Sequence, residues 1–140
     1  MIPATVPGKG LTLGISVANT WPLRFRGLLK RPAPGRHEAL LITRCTAVHT
    51  LGMAYPIDIV FLDRRWRVVG IVHRVPPGRW KVSAQRRSGA VQVLEMRDGE
   101  AQALGLRPGQ RLRPRHRHAE GTPTRAPAEG STSRDERRNG

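Results

Sequence analysis

The sequence predicts a mostly β protein, a compact antiparallel β-sandwich or barrel with two short helices and a disordered C-terminal tail. Three observations predict it. Leu11, Leu13, Ile15 and Val17 alternate with Thr12, Gly14, Ser16 and Ala18, the period of a strand with one buried face. An apolar, β-branched run at 57–62 returns as a second run at 68–75 across a short polar turn, which reads as a hairpin. Strands and helices do not alternate at the spacing of βαβ units, and no Gly-rich phosphate loop is present.

Taken in order, the first strand is 11–18. Thr20-Trp21-Pro22 then reads as a helix start, because Thr can cap and proline is tolerated in a first turn, where its missing N–H has no partner anyway. That helix runs through Leu23, Phe25, Arg26, Leu28 and Leu29 and stops before Pro32, which disfavours helical backbone at Arg31. A strand follows at 39–43. Residues 45–53 mix polar and apolar side chains without a period, and Gly52 permits a turn. Ile57-Asp58-Ile59-Val60-Phe61-Leu62 is apolar on both faces except for Asp58, as in a central strand covered on both sides. Asp63 to Trp66 makes the turn, and 67–75 returns. Residues 79–89 read as a long polar surface loop and 90–96 as another strand. Asp98 is expected to cap a short helix through Leu104, with Gly105 as its left-handed stop. A last short strand is expected at 111–113.

The expected domain is 9–114. Residues 115–140 hold almost no large apolar side chain and cannot bury enough surface to offset ordering entropy, so they read as a disordered basic tail.

The chain has 140 residues and a formal net charge of +15. The 110 residues up to Gln110 carry 17 Lys and Arg against 6 Asp and Glu, so the charge is not confined to the tail. Such a field favours nucleic acid or another anionic surface. The plainer reading is an arginine-rich composition that only solubilises. No block of five or six basic residues occurs, and the few aromatics do not read as a stacking surface interleaved with the arginines. Cys45 is the single cysteine, so no disulfide within the chain can hold the fold. No signal peptide and no long apolar span are read, and the expected location is cytoplasmic.

Three blocks of residues resemble an uncharacterised prokaryotic family, domain of unknown function 192. The first is Arg26-Gly27-Leu28-Leu29-Lys30-Arg31, similar to that family's arginine-glycine-leucine-methionine element. The second, from Cys45 to Asp63, contains the most specific feature, a Pro-apolar-Asp strand ending in Phe-apolar-Asp. The third is Val93-Leu94-Glu95-Met96, then Gly99, then Gly105 to Leu112. The resemblance covers about 11–112 and implies a compact β-sandwich or barrel with short helices. It implies no activity, because the family has none agreed. The sequence departs from the family where Val48-His49-Thr50-Leu51-Gly52 replaces a Phe-Trp-Met-Lys-Asn pattern, where Gln110 replaces an aspartate, and in lacking an export signal.

Asp58 and Glu95 are the most informative polar residues. By strand alternation Asp58 shares a face with Val60 and Leu62, and Glu95 with Val91 and Val93. An apolar face makes an unpaired carboxylate costly, so each requires a partner. Arg26, His49, Thr50 and backbone amides are the nearby candidates. The structural reading, carboxylates that hold loops, weighs ahead of the functional one. On the functional reading Arg26, His49, Thr50, Asp58 and Glu95 line one binding pocket. Two carboxylates could also support acid/base hydrolysis. Cys45 and His49 lie about 13 Å apart on an extended chain, too far for a nucleophile–base pair. Cys45 therefore reads as packed, and Cys45, His49 and Met53 are too few for a metal site. Trp66 and Trp80 read as covers for the core ahead of walls of a groove.

No cofactor and no metal are implied, and the sequence assigns no reaction. The leading expectation is a non-catalytic module that binds a small ligand or a protein. The alternatives are a hydrolase using the Asp58/Glu95 pair and weak electrostatic contact with nucleic acid or an anionic surface through the arginines.

Overall fold

A computed structural model describes residues 1–20, 27–28 and 31–115. Nine strands occur among them: β1 (Ile2–Val6), β2 (Leu11–Ala18), β3 (Glu38–Ile42), β4 (Ala47–Val48), β5 (Ile57–Leu62), β6 (Val68–Val75), β7 (Val82–Ser83), β8 (Gln92–Arg97) and β9 (Arg113–Pro114). One short helix, α1 (Glu100–Ala103), follows β8. The helix expected from Thr20 falls almost wholly on 21–26 and 29–30, outside the described residues, as does the tail from 116.

Seven strands form one curled sheet in the order β6-β5-β8-β3-β2-β1-β9, a half-barrel, and β4 and β7 pair separately as a small ribbon. The segment leading into β9 draws the sheet's two edges together. Arg67 bridges Arg111, the Leu112 N–H donates to the Trp66 carbonyl at 2.9 Å, and the Arg115 N–H donates to the Pro3 carbonyl at 2.7 Å.

The mostly β class holds, with three differences of detail. β2 and β3 are parallel, Gly14 opposite Glu38 through Ala18 opposite Ile42, whereas the sequence predicts antiparallel pairing throughout. Residues 19–37 supply the dozen or more residues that a parallel crossover needs. β1 lies before the first predicted strand. Pro3 and Pro7 obscure it, since proline weakens a strand pattern, yet Ile2–Val6 pairs antiparallel with Leu11–Ile15. The final strand sits at 113–114 rather than 111–113.

β5 and β8 are buried along almost their whole length because both faces of the sheet are covered. On one face Val60, Leu62, Leu94, Met96, Leu13 and Ile15 pack against Ala101 of α1 and Leu104 at its end. On the other, Ile57, Ile59, Phe61, Val93, Leu40 and Ile42 lie beneath Tyr55 and beneath Cys45, Val48 and Met53 of the segment without a sequence period. Among the described residues no helix is long and apolar enough to cross a membrane.

Asp98 does not cap α1. The cap position is Gly99 at φ 83° with no side-chain cap bond, and Asp98 instead lies exposed, 3.4 Å from the Arg74 Nε. Gly105, at φ 67°, ends the helix as expected.

Candidate functional site

β5 and β8 run antiparallel with Asp58 opposite Met96 and Ile59 opposite Glu95. Residues opposite one another share a face, and neighbours along a strand alternate, so Asp58 and Glu95 point to opposite sides of the sheet. Each lies on the apolar face that alternation predicts. They do not meet, and the carboxylate pair required for hydrolysis does not form.

Asp58 is fully buried. Its Oδ1 accepts the Arg74 N–H at 2.9 Å and its Oδ2 accepts the Ala101 N–H at 2.9 Å. The first bond falls at a bulge: Ile57 pairs with Val75 and Ile59 with Val72, so His73 and Arg74 together oppose Asp58. Arg74 has φ 52°, a left-handed backbone. The second bond gives α1 the cap that Asp98 does not supply.

Glu95 is 3% exposed. Its Oε2 accepts the Leu28 N–H at 3.2 Å, beside Gly27 at φ 51°. A Cβ on Gly27 would stand 3.0 Å from that same oxygen, so a side chain there would crowd the carboxylate. Burial pushes the Glu95 carboxyl up to about 7, partly offset by the Leu28 N–H. Burial and then the Glu95 charge raise the nearby Tyr55 phenol, while Arg31 lowers it. The Tyr55 hydroxyl donates to the Arg31 carbonyl at 3.0 Å.

Glu100, which sequence reasoning treated only as a helix residue, is the third buried carboxylate. Its Oε1 accepts the His37 N–H at 2.8 Å, and His37 also has a left-handed φ of 57°. All three carboxylates thus grip an amide at or beside a left-handed residue.

Thr50 is fully buried and fastens two loops. Its hydroxyl donates to the Pro76 carbonyl at 2.7 Å and accepts the Arg79 N–H at 2.9 Å. His49 is half-buried and adjoins it, in the segment that covers Glu95's face. Arg26 lies outside the described residues. Of the five residues expected to line one pocket, Asp58 is therefore separated from Glu95 by the sheet itself. Cys45 packs against the core on Glu95's face, as expected, and its thiol donates to the Ala47 carbonyl at 3.0 Å. Trp80 is 78% exposed and does not cover the core, contrary to expectation.

An open cleft of about 520 Å³ lies elsewhere, lined by Thr43, Arg44, Thr46, Arg64, Trp66, Ala90, Val91 and Gln92. Three chain segments form it, and hydrogen bonds tie them. The Cys45 N–H donates to the Val91 carbonyl at 3.0 Å, the Val91 N–H to the Leu62 carbonyl at 2.9 Å, and the Gln92 Nε2 to the Asp63 carbonyl at 3.2 Å. Arg44 at φ 49° and Trp66 at φ 65° are both left-handed, a conformation uncommon outside glycine and worth inspecting for function. Arg64, Arg65, Trp66 and Arg67 set one indole among three arginines, a local interleaving that the chain's overall aromatic content does not reveal. A second concavity of about 430 Å³ runs along Val69 to Val72 of β6 and Ser83 to Gln85.

No curated protein matches the chain. A protein of unknown function from Novosphingobium aromaticivorans DSM 12444, solved by crystallography, is 27% identical with a TM-score of 0.70, over 79% of this chain and 84% of that one. The crystal structure of a "putative transcription regulator" from Sinorhizobium meliloti 1021 shares the fold, with a TM-score of 0.67 at 22% identity over 81% of this chain and 91% of that one. The family DUF192, described as Uncharacterized ACR, matches residues 3–114. That span includes all three resembling blocks and all of the sheet but the first residue of β1, and the chain belongs to the DUF192 family.

Proposed function

We propose that this chain is a non-catalytic binding module whose recognition site is the cleft between residues 43–46, 64–66 and 90–92. One observation carries the reading. The buried Asp58 and Glu95 carboxylates hold backbone amides inside the fold, whereas the open cleft is lined by exposed Arg44, Arg64 and Thr46 and by the half-buried Trp66. Side chains of those types hold and orient a ligand, and small-ligand sites occupy roughly 300–1,000 Å³.

The hydrolase alternative needs two carboxylates flanking one bond, about 5–10 Å apart. The register of β5 against β8 counts against it, because a substrate cannot reach both faces of the sheet at once. Electrostatic contact with an anionic partner draws support from the arginines gathered around the cleft.

A thermal-shift screen of small ligands against the full chain tests the proposal. Stabilisation by a compound, lost in the double variant Arg44→Glu/Arg64→Glu, is the expected result. Both arginines are exposed, so the double variant should fold normally. Ligand stabilisation that persists in that variant would place the site elsewhere.

A further inference from the structure

We infer that the cleft takes a planar ring carrying an anionic group, the chemistry of a nucleotide, with the ring against Trp66 and the phosphate between Arg44 and Arg64. The inference rests on the binding-module reading and names its ligand.

The anionic half of the ligand follows from charge. Arg44 and Arg64 reach the cleft from two different segments, and both are exposed. Behind them, Arg65, Arg67 and Arg111 crowd the same turn: Arg67 bridges Arg111, and the Arg111 Nε donates to the Arg65 carbonyl at 3.0 Å. Asp63 is the acidic residue of this turn, and its Oδ1 accepts the N–H groups of Arg65 and Arg67 at 2.8 and 2.9 Å. Residues 63–67 with Arg111 set one carboxylate against four guanidinium groups, which gives this turn a positive field, and guanidinium matches phosphate in geometry as well as charge.

The planar half follows from Trp66. Its indole is half-buried and packs against the core while lining the cleft. The turn that fixes it is bonded throughout, with the Trp66 N–H on the Asp63 carbonyl at 3.0 Å and its own carbonyl taking the Leu112 N–H at 2.9 Å. An indole already ordered by the fold offers a stacking surface at little further entropy cost. Ala90 and Val91 give the cleft an apolar side, which suits a ring better than a bare inorganic ion.

A nucleotide can come free or as one unit of a single strand, and calorimetric titration of the full chain separates the two. The probes are AMP, adenosine and an unlabelled ten-residue oligo-dA, each at about 50 and about 200 mM salt, a range over which phosphate contacts weaken measurably. Saturable binding of AMP, with adenosine at least about tenfold weaker, supports the site with a free nucleotide as ligand. Binding of the strand without AMP supports it with a single strand as ligand. In either case Arg44→Glu/Arg64→Glu should weaken binding at least about tenfold and remove most of its salt dependence, and Trp66→Leu should weaken it about tenfold. The arginine variant keeps the test decisive if Trp66→Leu does not fold. Absence of binding by all probes at low salt, or binding that the arginine variant leaves intact, overturns the inference. If no probe binds but another compound stabilises wild type and not Arg44→Glu/Arg64→Glu, the nucleotide assignment fails and the binding-module reading stands.

Discussion

The Asp58 carboxylate accepts the backbone N–H of Arg74 where strand β6 bulges and Arg74 turns left-handed. A bulge leaves a residue out of the ladder, and the carboxylate supplies the acceptor that the neighbouring strand does not. Its other oxygen reaches the first turn of α1, so one side chain fixes a strand irregularity and a helix start together.

Removing that side chain leaves two amides without their acceptor. Asp58→Ala should destabilise the fold by on the order of 3 kcal/mol, which for a domain of this size lowers Tm by roughly 10 °C or more. Asp98→Ala should change stability by no more than about 0.5 kcal/mol, because its pair with Arg74 is exposed. Urea unfolding of the two variants checks the contrast. Equal costs would mean that the buried bonds of Asp58 hold the bulge and the helix no better than the exposed Asp98 pair does.

Glu95 makes stability depend on pH in a stated direction. Its carboxyl lies at about 7 in the folded state against 4.5 for the unperturbed group. Between those values the folded state holds the proton more tightly than the unfolded state. Stability therefore falls as pH rises from about 4.5 to about 7, by on the order of 3 kcal/mol, and then levels off for this group. Glu95→Gln should abolish that slope and be the more stable protein at pH 8. Unfolding curves at pH 4.5, 6 and 8 measure it. A Glu95→Gln protein that retains the wild-type slope would show that the slope arises elsewhere.

Much of this was legible in the sequence and some was not. The run 57–62 announced a strand buried on both sides because both of its alternating sets are apolar. The inward direction of Asp58 and of Glu95 followed from the same alternation, one strand at a time. Their separation could not follow, because it depends on which residue of β8 lies opposite which residue of β5, and register is a tertiary property. The cleft was hidden for a related reason. Arg44 and Trp66 lie 22 positions apart and meet only because β5 pairs with β8 and β8 with β3. The alternation of 11–18 marked β2 as a strand but not its parallel pairing with β3, because alternation carries no strand direction.

Gly27 should resist substitution. At φ 51° an added Cβ is strained, and it would also press on the Glu95 carboxylate at 3.0 Å. Gly27→Ala should cost roughly 1–3 kcal/mol. If the carboxylate contact contributes, the cost should shrink in the Glu95→Ala background, and a double-mutant cycle by denaturant unfolding reads that coupling. Strict additivity would reduce the effect to backbone conformation alone.

Thr50 offers a cleaner test of loop fastening. Thr50→Val removes both a donor to Pro76 and an acceptor for Arg79 while keeping the shape, and should cost about 1–3 kcal/mol. Thr50→Ser should recover most of it. Amide exchange at Gly78 and Arg79, both bonded to Thr50, should speed up in Thr50→Val and not in Thr50→Ser. Unchanged exchange would mean that the loop is held by other contacts.

The most direct test of the whole account is where a ligand is felt along the chain. Amide chemical shifts of the ¹⁵N-labelled protein, titrated with phenyl phosphate, report this position by position. Perturbations gathered at 43–46, 64–66 and 90–92, with Gly27, Leu28 and Tyr55 unmoved, are the predicted result. Perturbations centred on Gly27, Leu28 and Tyr55 would instead place the binding site over Glu95 and contradict the assignment of its carboxylate to holding the fold.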